Sequence, residues 1–168
     1  MSTDQPRHLH AKFYRRRDCL LAALGCTLML VTGCASKEII TRVSLNLTAG
    51  AGANPDAKGR ASPLMVRLYA LKSSSAFTSA DFFSLYDNES ATLGADLVQR
   101  EEMLLRPGET KKFDVTLKSD AKTLGVVAAY RDLERAHWRE LRTLDVGKQN
   151  NLNLLFGARR IEITQAQR

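Results

Sequence analysis

Along most of the chain, apolar and polar residues alternate one by one, the pattern of half-buried strands. In residues 39–47, Val43, Leu45 and Leu47 fall on one side and Arg42, Ser44 and Asn46 on the other. Leu64, Val66, Leu68 and Ala70 alternate with Met65, Arg67, Tyr69 and Leu71. Phe113, Val115 and Leu117 alternate in the same way with Lys112, Asp114, Thr116 and Lys118. Residues 124–130, LGVVAAY, are apolar on both faces and predict a central strand. Residues 137–144, anchored by Trp138, read as a further strand. So do the run carrying Leu152, Leu154 and Phe156, and residues 159–164 with Ile161 and Ile163. Residues 97–105 fit a strand or a helix, and Arg106-Pro107-Gly108 ends them in a turn. Seven or eight short strands with turn signals between them predict a β-sandwich.

Two interior stretches break the alternation. Residues 49–63, AGAGANPDAKGRASP, carry no periodicity and read as a long loop. Loops of that length inside a domain are often functional. After Lys72 the period lengthens. Thr78-x-x-Asp81 reads as a capping box with Phe77 and Phe82 as its hydrophobic staple. Phe82, Leu85 and Tyr86 then stand at i, i+3 and i+4, predicting an amphipathic helix of about two turns. Its aromatic face is expected to cover an open end or edge of the sheet.

The third exception lies near the start. Residues 19–32, CLLAALGCTLMLVT, form an apolar run behind Lys12, Arg15, Arg16 and Arg17. This is the layout of a secretory signal peptide, and the run is shorter than the roughly 20 residues that span a bilayer core. It ends in Leu30-Val31-Thr32-Gly33-Cys34, which resembles the lipobox of bacterial lipoproteins. The resemblance implies cleavage between Gly33 and Cys34, with diacylglyceryl and N-acyl lipid on Cys34. Residues 1–33 are then a removed signal peptide and 34–38 the acylated cysteine with a short tether. Residues 39–164 are the sandwich domain and 165–168 a C-terminal tail. Ala35, standing where Asp would mark retention at the inner membrane, implies delivery to the outer membrane. The four spacer residues Ala35, Ser36, Lys37 and Glu38 reach about 13–14 Å when extended, so the domain sits close to the membrane, facing the periplasm.

That cut changes the totals. The net charge falls from +7 for the whole chain to +4 for the 135 residues left, enough for one domain with one core. So small a charge gives little reason to expect nucleic acid as a partner. Cys19 and Cys26 leave with the leader and Cys34 is blocked, so no disulfide can form and the core alone carries the stability.

Catalytic chemistry finds no support in the sequence. His8 and His10 leave with the leader, and the remaining His137, beside Trp138, reads as structural or surface. There is no His/Cys cluster at metal-ligand spacing and no G-x-S-x-G elbow. Gly50-Ala51-Gly52 lacks the lysine and helix of a phosphate loop. Glu101 and Glu102 point to opposite faces if in a strand. Arg131, Asp132, Glu134 and Arg135 read as a salt-bridged turn. No enzyme activity, cofactor or metal is expected.

Several blocks, in order, carry a family resemblance. They are Asn54-Pro55-Asp56, GRASPLMVRLYAL at 59–71, Phe77 with ADFFSLY at 80–86, and LGADL at 93–97. RPGE at 106–109 and GVVAAYRD at 125–132 follow, then Ala136 and Trp138-Arg139. Together with the lipobox, these resemble the TssJ family of type VI secretion system outer-membrane lipoproteins. Beyond Gly147 the match is one of strand pattern. The resemblance implies a transthyretin-like β-sandwich of about eight strands with a short helical insertion and a non-catalytic role. It implies docking onto the periplasmic C-terminal domain of TssM, within a complex with TssL, to anchor an envelope-spanning assembly. It also gives the loop between the first two strands a part in that contact, which makes Asn54, Pro55, Asp56, Lys58 and Arg60 the partner-binding candidates. The loop is polar, so an apolar hot spot would lie on the neighbouring helix or strand edge. The alternative is a periplasm-facing lipoprotein that uses its mild positive charge to bind peptidoglycan or lipopolysaccharide. A transthyretin-like hydrolase would need convergent polar groups that a lone His137 does not supply.

Overall fold

Eight strands pair into two sheets of four in the computed structural model, which describes residues 39–118 and 120–166. The leader, the lipobox with Gly33 and Cys34, and the tether 34–38 lie outside the described residues. One sheet contains β1 (Ile40–Ala49), β4 (Thr110–Lys118), β7 (Gln149–Phe156) and β8 (Ile161–Gln165), in the order β4-β1-β7-β8. The other contains β2 (Leu64–Leu71), β3 (Leu97–Leu105), β5 (Thr123–Ala128) and β6 (Arg139–Thr143), in the order β3-β2-β5-β6. Every pairing is antiparallel except β1 with β7, which run parallel with Leu45 opposite Leu152.

The alternation read in the sequence becomes the core. Val43, Leu45 and Leu47 of β1 meet Leu64, Val66 and Leu68 of β2, Leu124 and Val126 of β5, and Leu152, Leu154 and Phe156 of β7. All are buried, and removing one such side chain from water contributes about 1.5–3 kcal/mol. The ambiguous stretch 97–105 forms a strand because it lies along β2, Leu105 opposite Leu64 and Glu102 opposite Arg67. Glu102 points outward to Arg67 and Arg100, while Glu101 takes a bond from Gln99 beside the rim between the sheets.

Between β2 and β3 the chain makes three short helices, α1 (Ser75–Ser79), α2 (Phe82–Asp87) and α3 (Glu89–Leu93), then a 3₁₀ turn. They cover the outer face of the second sheet rather than an end or an edge. Phe77, Phe82, Leu85 and Leu93 pack on Tyr69, Leu71 and Val127. This second layer is why β2 and β5 are apolar on both faces: each is buried between two cores. The capping box expected at Thr78 is not formed. Ala80 is extended (ψ 151°), so the chain breaks into two helices there. Thr78 lies inside α1 with its hydroxyl donating to the Ser74 carbonyl (2.8 Å). Asp81 is itself the N-cap of α2, accepting from the Ser84 amide at 3.0 Å.

A polar network fastens this layer to the sheet. Arg67 lies 3.8 Å from the ring centroid of Tyr86 and bonds Glu102 and the Tyr86 carbonyl. Arg100 bridges Glu89 (3.0 Å) and Glu102 (2.8 Å). The Tyr69 hydroxyl donates to the Leu85 carbonyl (3.0 Å), with Glu89 at 3.2 Å. Burial pushes the Tyr69 phenol up to about 12 from 10.0. A raised folded value means its contribution to stability is complete below pH 10 and is lost as pH rises through about 12. Tyr69→Phe is expected to remove one phenolate step near pH 12 from a spectrophotometric titration and to lower stability at neutral pH by about 1 kcal/mol. Loss of a step near pH 10 instead would show that Tyr69 ionises with exposed phenols.

The strand directions sort the connections to two ends. Residue 39, the turn 144–148 and residues 120–122 ahead of β5 lie at the end where β1 begins, the near end. Loop 50–63, the turn 106–109, and segments 129–138 and 157–160 lie at the other, the far end.

Candidate functional site

The loop after β1 is held rigidly at the far end. It starts with the Gly50 amide on the Phe156 carbonyl (2.9 Å) and the Ala53 amide on the Gly50 carbonyl (2.9 Å). Asn54 then takes a left-handed backbone (φ +49°), which Asn tolerates better than most residues. Asn54 is buried, 3 % exposed. Its side-chain amide donates to the Pro63 carbonyl (2.7 Å), and its oxygen accepts from the Arg131 amide (2.8 Å). The loop is thereby stapled both to its own end and to the segment that follows β5. Asn54 is one of the partner-binding candidates of the loop. Both of its polar groups are instead consumed inside, so it shapes the loop without presenting a surface.

Asp56 organises the tip. Its carboxylate accepts from the Lys58 and Arg60 amides (2.9 Å each) and from the Arg60 guanidinium (2.8 and 2.7 Å). The Arg60 amide and guanidinium hold its carboxyl below the usual value of 3.8. Gly59 (φ +79°) closes the turn, its amide on the Asp56 carbonyl at 2.9 Å. Pro55 and Asp56 are half-buried, whereas Lys58 and Arg60 are exposed.

Of the sequence candidates, Pro55 and Asp56 line a cleft, whereas Lys58 and Arg60 stand exposed on the same loop outside its lining. The structure adds residues from two segments far along the chain. Gly52, Pro55, Asp56 and Gly59 form one wall of a cleft of about 820 Å³, with Arg131, Asp132 and Arg135 opposite and Arg159 beside them. Asp132 accepts from Arg159 (2.9 Å) and faces Arg135 (3.9 Å), so the salt-bridged turn expected there forms and also lines the cleft. Tyr130, its hydroxyl on the Arg160 carbonyl (2.7 Å), ties this segment to the one before β8. The His137 amide donates to the Arg159 carbonyl (2.8 Å), which makes His137 part of the same seam. Loop composition pointed to the first wall. The mixed charges at 131–135 marked a turn but not its place on the cleft, and Arg159 carried no local signal, because the closure of β5–β6 and β7–β8 brings both there.

An exposed aromatic lies elsewhere. Phe83, 63 % exposed, stands on α2 with its ring edge-on to buried Phe82 (5.4 Å). It sits on the helical layer, the place where an apolar hot spot was expected. Among the described residues, no helix is long and apolar enough to cross a membrane.

Comparison with known proteins places this arrangement. A family model described as a type VI secretion lipoprotein, grouping VasD, EvfM, TssJ and VC_A0113, matches residues 41–159. The T6SS lipoprotein TssJ1 from Pseudomonas aeruginosa is 45% identical, with a TM-score of 0.75, over 76% of this chain and 98% of that one. Serratia marcescens Lip, a membrane-bound component of the type VI secretion system, is 27% identical, with a TM-score of 0.69, over 76% and 98%. A structure described as the T6SS protein TssM C-terminal domain from EAEC contains a chain of the same fold. That chain is 23% identical, with a TM-score of 0.61, over 74% of this chain and 98% of its own length. No curated protein matches the sequence. With the family model running through seven of the eight strands and all of the cleft, the chain belongs to the type VI secretion lipoprotein family that includes TssJ.

Proposed function

We propose that this chain is the lipid-anchored outer-membrane component of the type VI secretion membrane complex. In this reading its far-end cleft docks the periplasmic C-terminal domain of TssM, which joins TssL. The observation that carries the proposal is the opposition of the two ends. β1 runs unbroken from Ile40 to Ala49, about 30 Å at roughly 3.3 Å per residue. An anchor entering at Ile39 and the loop leaving Ala49 therefore face opposite ways, so a domain tethered through Cys34 presents its cleft away from the membrane. The family match and the fold shared with a chain in the TssM structure support the choice of partner. The role is non-catalytic: Asp56 is held by Arg60, and Asp132 by Arg159 and Arg135, as a shaped, charged surface.

The test is a binding titration of the TssM periplasmic domain against Lys58→Glu with Arg131→Glu, alongside the mass of the N-terminal peptide of the mature protein. Both residues are exposed, so folding should be unaffected. Affinity is expected to fall about 10- to 100-fold, equivalent to about 1.4–2.8 kcal/mol, and the peptide should begin at an acylated Cys34. Unchanged affinity would move the interface away from the cleft, with Phe83 as the next place to alter. The cleft's exposed arginines also suit an anionic envelope glycan. A saturable lipopolysaccharide isotherm abolished by Arg131→Glu would favour that reading instead.

A further inference from the structure

The near end carries a surface that docking at the cleft leaves unused. Ile39 and Ile40, 51% and 40% exposed, open the first strand, and Val146, 37% exposed, stands beside them on the turn between β6 and β7. This corner is built rather than frayed. The Gly147 amide donates to the Thr41 hydroxyl (2.8 Å), and the Arg42 amide to the Lys148 carbonyl (3.1 Å). The Ile39 side chain lies against Gly147, 3.3 Å from where a Cβ there would stand. The Leu144 amide donates to the Lys122 carbonyl (2.8 Å), which brings in the link between β4 and β5. Arg42, Lys122 and Lys148 are exposed around the three apolar residues. Asp145 is exposed on the same turn, and Asp120 is paired with Lys72 at 2.9 Å.

We propose that this corner is a membrane-facing foot: Ile39, Ile40 and Val146 enter the interfacial zone of a phospholipid leaflet while Arg42, Lys122 and Lys148 engage anionic headgroups. The proposal rests on the anchor reading above. The four spacer residues reach about 13–14 Å, so an acylated Cys34 keeps Ile39 within one short span of the bilayer surface. Apolar side chains ringed by long cations are the chemistry of an interfacial contact, because cations reach headgroups while their stems lie along apolar surface. Acyl chains alone would leave the domain free to swivel. The foot adds a second point of contact and fixes which way the cleft points.

The experiment takes the acylated mature protein from membranes into vesicles of phosphatidylethanolamine with phosphatidylglycerol. A water-sensitive fluorophore is attached at Val146→Cys or, as the far-end control, at Lys58→Cys. Iodide quenching at position 146 is expected to fall several-fold on reconstitution and to stay unchanged at 58. Adding Arg42→Glu and Lys148→Glu should restore quenching at 146. Equal quenching at both positions in protein that floats with the vesicles overturns the foot and leaves the anchor standing. Protein that does not float overturns the anchor and the foot together. Protection at 146 that appears already in detergent and rises with protein concentration assigns the corner to a second copy of the chain and overturns the membrane contact.

Discussion

Phe77→Ala is expected to lower the unfolding free energy by about 3–5 kcal/mol, with the loss centred on the helical layer. Phe77 is fully buried. Its ring lies 5.8 Å from that of Tyr69, tilted by 58°, and directly over Gly125 of β5. A Cβ at Gly125 would stand 2.9 Å from two of its ring carbons and 3.1 Å from Leu71. Gly125 is therefore the floor on which the ring rests, and Gly125→Ala should cost about 1–3 kcal/mol by overpacking. The two changes share one space and will not add. In the Phe77→Ala background, Gly125→Ala should cost much less, because the methyl occupies room the ring has left. Chemical denaturation of the two single variants and the double variant measures this. Full additivity would mean that the ring and the glycine do not share that space, and the account of the second core would be wrong.

Asn54→Ala should destabilise the domain by about 2–4 kcal/mol. Two buried hydrogen bonds are lost, leaving the Arg131 amide and the Pro63 carbonyl without their partner, at about 1 kcal/mol or more each. Alanine must also hold the left-handed φ of +49°, at about 1–2 kcal/mol. Asn54→Gly separates the two causes, since glycine accepts that backbone freely but restores neither bond. It should be milder than Ala by about 1 kcal/mol. Hydrogen exchange at the Arg131 amide should speed up in both variants. If the cleft docks TssM as proposed, that affinity should also fall in both, although Asn54 is buried, because the cleft wall loses its staple. If Ala and Gly prove equally harmful, the backbone conformation contributes nothing. If neither matters, the loop does not depend on Asn54.

The strands were legible because their alternation maps directly onto burial: Val43, Leu45 and Leu47 inward, Arg42 outward. Residues 97–105 resisted because Gln99 and Glu101 occupy inward-facing positions at the rim between the sheets, where water reaches them. The helical insertion was seen in part. Asp81 was recognised as a capping residue but assigned to the wrong end of the box, since the extended turn at Ala80 leaves no local mark. The serines that lead into α1 are indifferent helix formers, and packing of Phe77 holds that helix in place. The loop 49–63 stands out by composition, yet nothing in it marks Asn54 as buried. Its burial follows from Arg131, more than seventy positions away, whose approach depends on how β5 crosses the sheet. Arg159 and Asp132 were equally invisible as cleft residues, because strand pairing over long separations sets their meeting.

The central position of β1 has a mechanical consequence. Pulled between a tether at Ile39 and a partner held beyond Ala49, the strand is loaded along its own axis. It is gripped on both flanks, by β4 from Ile40 to Thr48 and by β7 from Arg42 to Ala49. Both ladders are then strained in shear, so their bonds must yield together, whereas a strand peeled sideways releases them one after another. Tension in this direction meets the sandwich along its stiffest line.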